Sequence, residues 1–158
     1  MRSSENHTGT TWQGYGSICC ISGPHLTIGV SMWIEYNKNP TGRRVGDCAV
    51  RAVSVALDTD WETAFALLAK NAFLMGDMPS SDSVWGSVLR ENGFVRRAVP
   101  NTCPDCFTAE DFAKEHPKGV YVLGFGGHVA TLRDGKLYDS WDSSREIPVY
   151  YWTNVREE

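Results

Sequence analysis

The chain has 158 residues, which is enough for one domain with a substantial hydrophobic core but not comfortably for two. Its composition, 42% apolar and 22% charged, is typical of globular proteins, and its formal charge of −4 gives no electrostatic reason to expect a nucleic acid or an anionic membrane as a partner. No apolar stretch approaches the roughly 20 residues that a membrane-spanning helix requires.

The first 31 residues differ in composition from the rest of the chain. They are rich in Ser, Thr and Gly and lack a clear amphipathic period. The pattern is not that of a signal peptide, because Arg2 is the single positive charge at the start and a polar stretch runs to Ser17. We therefore expect residues 1–31 to be a disordered tail or an upstream extension, and residues 32–158 to form a single domain.

Helical patterns begin after a polar, turn-rich loop. Asp47 is a candidate N-cap for a first helix over roughly Cys48–Leu57, in which apolar residues recur at the spacing of a buried face. Thr59 and Glu62 fit a capping box, with Thr at the cap and Glu three residues later. That motif predicts a second helix from residue 61 to about residue 71.

Two further helices are predicted before the strands begin. Ser80 or Ser81 is a candidate cap for a third helix that continues through Asn92. Thr108 is a candidate start for a short fourth helix, which ends at His116 because Pro follows.

The pattern then changes to strands. The strand-like segments are residues 120–123, 128–133, 136–141 and 149–152. The first is a continuous apolar run, as in a strand buried on both faces, and the second and third flank Asp134-Gly135, a strong signal for a two-residue hairpin. Helices thus fill the first half of the chain and an antiparallel sheet the second, which predicts an α+β fold.

The hairpin geometry brings two side chains together. Successive residues of a strand alternate faces, and directly opposed residues share a face. Pairing outward from the turn therefore puts His128 on the same face as Asp139 and Trp141, with Asp142 on the other face. Because Asp139 lies diagonally from His128, at roughly 7 Å between backbones, it is the preferred carboxylate partner and Asp142 is the second choice.

These residues have the chemistry of a nucleophilic site. A cysteine at a helix start, such as Cys48, is favoured as a thiolate by the helix dipole. His128 would complete its activation and later protonate the leaving group, while Asp139 would orient the imidazole. The backbone N–H of Cys48 can bind an oxyanion, and Asn37 and Asn39 are the candidates for a second, side-chain donor.

The order of these residues resembles a known family. A Cys on the first long helix, a His on a strand and then Asp139-Ser140-Trp141 on the next strand resemble the papain-like cysteine peptidases, whose corresponding motif is Asn-Ser-Trp. An Asp in place of that Asn is familiar from bacteriocin-processing peptidases of the same fold. The stretch from Asn37 to Trp152, about three-quarters of the chain, is similar to small proteins encoded by bacteria and their phages.

The resemblance implies a papain-like fold, with N-terminal helices packed on a C-terminal antiparallel sheet. It also implies a thiol peptidase or amidase that forms an acyl-enzyme and needs no cofactor. Its triad would be Cys48, His128 and Asp139, with Trp141 and Asp142 as supporting residues.

Departures from the family leave two alternatives open. Gly42 stands where the family has a Gln six residues before the Cys, and Ala49 stands where an aromatic follows it. The missing Gln favours a non-catalytic binding module, such as a phage or bacterial accessory protein, and an amine acceptor would make the same triad an acyltransferase.

The remaining cysteines bear on compartment rather than on catalysis. Five cysteines are an odd number, and two of them lie in the first 31 residues, which argues against a disulfide framework. A reducing compartment is therefore expected, namely the cytoplasm, or the host cytoplasm if a phage encodes the chain. Cys103 and Cys106 could form half of a zinc site or a redox pair, but we interpret them as a pair of loop thiols.

Overall fold

The computed structural model describes residues 31–100 and 104–154. The expectation for the first 31 residues therefore falls, apart from Ser31, outside the described residues. In chain order the elements are β1 (Trp33–Glu35), α1 (Cys48–Leu57), α2 (Trp61–Met75), α3 (Asp82–Glu91), β2 (Val95–Ala98), α4 (Ala109–Glu115), β3 (Val120–Gly124), β4 (Val129–Arg133), β5 (Lys136–Asp139) and β6 (Tyr150–Thr153). In this part of the chain, no helix is long and apolar enough to cross a membrane.

The predicted helices are all present, and one predicted cap is wrong. α1 has the predicted bounds, and α4 begins at its predicted start, with Thr108 as the N-cap. α2, however, is capped by Asp60, whose carboxylate accepts a hydrogen bond from the backbone N–H of Thr63 at 2.6 Å. Thr59 belongs instead to the end of α1, because its N–H donates to the carbonyl of Ser54. α2 also runs one turn beyond the predicted end, to Met75.

Six strands form one mixed sheet in the order β1-β5-β4-β3-β6-β2. The β4–β5 hairpin has the predicted register, with Arg133 opposite Lys136 and Thr131 opposite Tyr138. The α+β class is confirmed, but the prediction of an antiparallel sheet drawn from the second half of the chain is wrong in two respects. β1 and β2 come from the first hundred residues, and β1 pairs with β5 in parallel.

Helices cover both faces of the sheet. Side chains of α1, α2 and α3 pack with Val122 and Trp152 in one buried cluster. Phe112 of α4 packs with Tyr121 and Leu132 in the other. Neighbouring residues of β3 thus point to opposite clusters, as the pleat of a strand requires. The candidate site lies beside α1, at the start of β4 and the end of β5.

Candidate active site

Cys48 is the first residue of α1, and α1 lies directly against β4. The helix is buried from Ala49 to Ala56. The hydroxyl of Thr131, on β4, is fully buried and donates to the carbonyl of Ala52 at 2.8 Å. This contact between a strand side chain and the helix backbone holds α1 against β4.

His128 precedes β4 and is held from two sides. The backbone N–H of Phe125 donates to the carbonyl of His128 at 2.8 Å, which closes the β3–β4 connection. Gly127 has a φ of 91°, a conformation that side chains disfavour, so the turn depends on a glycine there. The indole of Trp141 stacks on the imidazole, with 4.1 Å between ring centroids. The ring therefore has little freedom to turn.

Asp139 ends β5 and is buried. Its carboxylate accepts hydrogen bonds from His128 Nε2 at 2.6 Å and from the hydroxyl of Ser143 at 2.6 Å. The backbone N–H of Ser140 donates a third, at 2.7 Å. The predicted diagonal contact between Asp139 and His128 is present. The carboxylate is thus held by three hydrogen-bond donors.

The electrostatics of the three residues favour an ion pair. Burial lowers the pKa of His128, but hydrogen bonds to Asp139 and Cys48 outweigh it and raise the pKa to about 9. Burial raises the pKa of the Cys48 thiol, but the hydrogen bond with His128, the imidazolium charge and the Val129 N–H hold it below its usual value. Since Nε2 of His128 is bonded to Asp139, Nδ1 is the ring nitrogen left for the thiol. At neutral pH these shifts favour a thiolate next to an imidazolium.

A buried arginine lies behind the triad. Arg51, 5% exposed, forms an ion pair with Asp47 and lies 3.8 Å from Asp139. The second oxygen of Asp47 accepts a hydrogen bond from Trp61 Nε1 at 2.9 Å. Asp47 occupies the predicted N-cap position of α1, but its side chain makes no cap hydrogen bond. The carboxylate is used by Arg51 and Trp61 instead.

Arg51 and Ser143 contact Asp139 as well, and neither was predicted from the sequence to be part of the site. The Asp47–Arg51 spacing of four residues is a readable signal for an ion pair on one helix face. Ser143 gives no comparable signal, because a serine in a loop after a strand is commonplace. Its role depends on how the loop after β5 folds back on Asp139.

The thiol opens on a cleft of about 420 Å³. The cleft is lined by residues from the loop before α1, from α1 itself, from the turn before β4 and from the segment after β5. These residues are Arg44, Val45, Gly46, Cys48, Arg51, Gly127, His128, Ser140 and Trp141. Asp142 is not among them; it is exposed, and its carboxylate accepts from the N–H of Ser144.

The two asparagines predicted as oxyanion donors are not part of the cleft lining. Asn37 Oδ1 accepts from the N–H of Asn39, and Asn39 Oδ1 accepts from both the N–H and the hydroxyl of Thr41. Asn39 lines a second cavity, on the far side of Val45 and Gly46. Both Oδ1 atoms therefore stabilise turns in the loop, and the second oxyanion donor stays a prediction.

The cysteines of the described residues differ in state. Cys48 is a free cysteine, whereas Cys106 is disulfide-bonded. The interpretation of Cys106 as a loop thiol is therefore wrong, and Cys103 lies outside the described residues. Within residues 31–100 and 104–154, no group of three or more His, Cys, Asp or Glu residues could hold a metal ion.

No protein-family model, curated protein or solved structure matches the chain. The geometry of the site is therefore what indicates the function. That geometry consists of a free thiol at a helix start, an imidazole between the thiol and a buried carboxylate, and a cleft in front of the thiol.

Proposed function

We propose that the chain is a papain-like cysteine hydrolase, a peptidase or an amidase. The observation that carries the proposal is the continuous hydrogen-bonded series from Cys48 through His128 to Asp139. The members have the properties that nucleophilic catalysis requires: a thiol with a lowered pKa, a base with a raised pKa and a buried carboxylate that orients the base. The α+β arrangement, with the cysteine at the start of α1, is compatible with a papain-like fold.

The first half of the reaction forms an acyl-enzyme. The Cys48 thiolate attacks the carbonyl carbon of an amide, a C–S bond forms, and the negative charge moves to the oxygen. The Cys48 backbone N–H, at the positive end of the α1 dipole, is one donor to that oxyanion. When the C–N bond breaks, the leaving amine takes the proton from His128, and a thioester remains on Cys48.

The second half restores the enzyme. His128, now neutral, accepts a proton from water as the water oxygen attacks the thioester carbon. The C–S bond breaks, the carboxylic acid leaves, and Cys48 departs as a thiolate beside the recharged imidazolium. Asp139 keeps the imidazole in one orientation in both halves. The steps use no cofactor.

One observation favours the rival function of a non-catalytic binding module. Neither Asn37 nor Asn39 lines the cleft, which leaves the Cys48 N–H as the oxyanion donor identified so far. A module of this kind would retain the fold while its thiol remained unreactive toward carbonyl compounds.

The decisive experiment measures the rate of Cys48 alkylation by iodoacetamide as a function of pH, with mass spectrometry to identify the modified residue. We expect wild-type Cys48 to titrate below the pKa of an ordinary thiol, about 8.5. In His128→Ala the apparent pKa should rise, because the imidazolium that stabilises the thiolate is gone. An ordinary thiol that does not respond to His128→Ala would overturn the proposal.

A second measurement separates a reactive thiol from a hydrolase. We expect p-nitrophenyl acetate to acetylate Cys48 in a burst, followed by slower turnover as water releases the acetyl group. Cys48→Ser should show neither phase. A burst without turnover would indicate an acyltransferase that lacks its acceptor, and no acetylation at all would support the binding module.

A further inference from the structure

α2 is apolar around nearly its whole circumference. All but four of its 15 residues are apolar, the exceptions being Glu62, Thr63, Lys70 and Asn71. A helix that is apolar on every side is normally buried on every side. Four residues of α2 are buried, namely Ala64, Leu68, Asn71 and Ala72. The composition of α2 therefore indicates a second covering surface in addition to the core of the domain.

The uncovered side of α2 carries a row of small and aromatic residues. The buried side packs on α1 and α3. With 3.6 residues per turn, the row along the opposite side consists of Glu62, Ala66, Ala69 and Phe73. All but Ala69 are exposed, and Ala69 is half-buried. Phe73 is 86% exposed, more than any other large apolar side chain in the described part of the chain.

The exposed apolar surface continues past the end of this row. Leu74, Met75 and Met78 are 69%, 47% and 67% exposed. Single exposed apolar residues are normal on a protein surface, but a contiguous exposed patch marks an interaction site. The middle of the row is alanine, and the distance between two packed helices depends on the side chains at the contact. A second helix can therefore lie close to α2.

Two charged residues indicate which helix that is. Glu62 and Lys70 are exposed, and they lie four residues before and four residues after Ala66. Within residues 31–100 and 104–154, neither forms a salt bridge. When two copies of α2 pair antiparallel around Ala66, Glu62 of each copy lies opposite Lys70 of the other. α2 is thus complementary to itself, as a two-fold interface between identical subunits requires.

We propose that α2 binds α2 of a second copy of this chain, antiparallel and about a two-fold axis at Ala66. Phe73 of each copy covers the first turn of α2 in the other, and burial of its ring drives the association. The reciprocal pairs of Glu62 and Lys70 fix the register. The paired helices are only about 22 Å long, so the interface is small and we expect a dissociation constant between about 1 μM and 1 mM. This homodimer does not depend on the proposed function.

The first test measures association and the part that Phe73 has in it. Analytical ultracentrifugation of the full chain at concentrations up to about 1 mM should show a reversible monomer–dimer equilibrium, and non-reducing electrophoresis should show no covalent dimer. Phe73→Ala should weaken the dimer by about tenfold or more, because an aromatic ring at the interface is lost from both copies. Val149→Ala is the matched control. Val149 is 60% exposed but precedes β6, so its replacement should leave the dissociation constant unchanged.

The second test uses charge reversal to identify the register. Glu62→Lys replaces two attractions across the interface by two repulsions and should weaken the dimer by about tenfold or more. Lys70→Glu should have the same effect. An equimolar mixture of these two variants should form a heterodimer about as tight as the wild-type dimer, because each contact again joins opposite charges. Recovery in the mixture would also show that both variants are folded.

Three results would overturn the inference. The wild-type chain could remain monomeric up to about 1 mM, which would leave the face to a different protein. Phe73→Ala and Val149→Ala could weaken the dimer equally, which would place the interface elsewhere. The charge reversals could leave the dimer intact, or their mixture could associate no better than either variant alone, and both outcomes would exclude the antiparallel pairing at Ala66.

Discussion

The side chains at the N-cap positions of α1 and α4 are used in different ways. At α4, the hydroxyl of Thr108 accepts from the N–H of Asp111, and the carboxylate of Asp111 accepts from the N–H of Thr108. At α1, Asp47 stands at the equivalent position, but its carboxylate binds Arg51 and Trp61 and makes no cap hydrogen bond.

The two helix starts therefore differ in that only α4 has a side-chain cap of its first N–H groups. The first N–H groups of any helix have no partner within the helix. The α4 cap satisfies such groups with the helix's own side chains. The start of α1 has no such side-chain cap, and its first residue is the thiol, so its dipole and N–H groups can act on Cys48 and on an oxygen bound there.

The largest effect is expected at Asp139, and it tests whether the start of α1 is part of a catalytic site. Asp139→Ala removes the partner that holds His128 over Cys48, and we expect kcat/KM for p-nitrophenyl acetate to fall by about 10²–10⁴-fold. Asp142→Ala is the matched control, since this exposed carboxylate does not line the cleft. It should change the rate less than about twofold. Equal effects of the two substitutions would remove Asp139 from the mechanism.

The next largest effect is expected at Asp47, whose carboxylate does not cap α1. Asp47→Ala should lower the free energy of unfolding by about 3 kcal/mol or more, because a buried Arg51 loses its ion-pair partner. In Asp47→Ala/Arg51→Met, the buried charge is gone as well, so the double variant should be more stable than Asp47→Ala alone. Urea unfolding measures both. A loss of only about 1 kcal/mol in Asp47→Ala would mean that Asp47 acts as an ordinary cap.

The pH dependence of stability should differ in sign between the two starts. At α4, burial raises the pKa of Asp111, but hydrogen bonds from Thr108 and Lys114 outweigh it and hold the pKa below its usual value. Its contribution to stability is therefore present above about pH 3.9, the unfolded pKa, and is lost on acidification. At α1, the raised pKa of His128 gives a contribution that is complete below about pH 6.5 and is lost as the pH rises toward 9.

The His128 contribution can be isolated by removing the thiol that titrates with it. In Cys48→Ala, where Asp139 still holds His128, the free energy of unfolding should fall by about 1–2 kcal/mol between about pH 6.5 and 9. Adding His128→Gln should abolish this slope. Urea titrations across the range measure both variants, and a slope that persists in the double variant would assign the effect to another group.

The smallest effect is expected at Thr108, the N-cap of α4. Thr108→Ala removes the hydroxyl of the capping box and should cost about 1 kcal/mol of unfolding free energy. Thr108→Ser keeps the hydroxyl and should be close to wild type. The esterase rate should not change in either variant. A loss of activity in Thr108→Ala would show that α4 is coupled to the site.

The parts of the site that depend on local geometry could be predicted from the sequence. Asp134-Gly135 specifies a two-residue turn, and such a turn allows one register for the strands that it joins. The contact between His128 and Asp139 follows from that register. The start of α1 at Cys48 could also be predicted from neighbouring residues, because a polar loop is followed there by an apolar helical period.

The long-range parts gave no local signal. All four residues of β2 are exposed. Its sequence therefore does not need, and does not show, the alternation of apolar and polar residues by which a half-buried strand is predicted. β1 has only three residues, and its pairing with β5 depends on chain far away in sequence. Arg51 lies in an apolar helix, and its approach to Asp139 exists only because α1 packs beside β5. These features arise from tertiary packing, which local propensity does not encode.

β1 also determines when the site can form during folding. The backbone carbonyl of Asp139 accepts from the N–H of Tyr36 and from the indole of Trp33, which is 106 positions away in the chain. Closing so long a loop is slow relative to forming the β4–β5 hairpin. We therefore expect His128 and Asp139 to meet early, while the strand that carries Asp139 is anchored late, when residues 33–36 dock. A nascent chain would thus complete the environment of Cys48 only after most of the domain has folded.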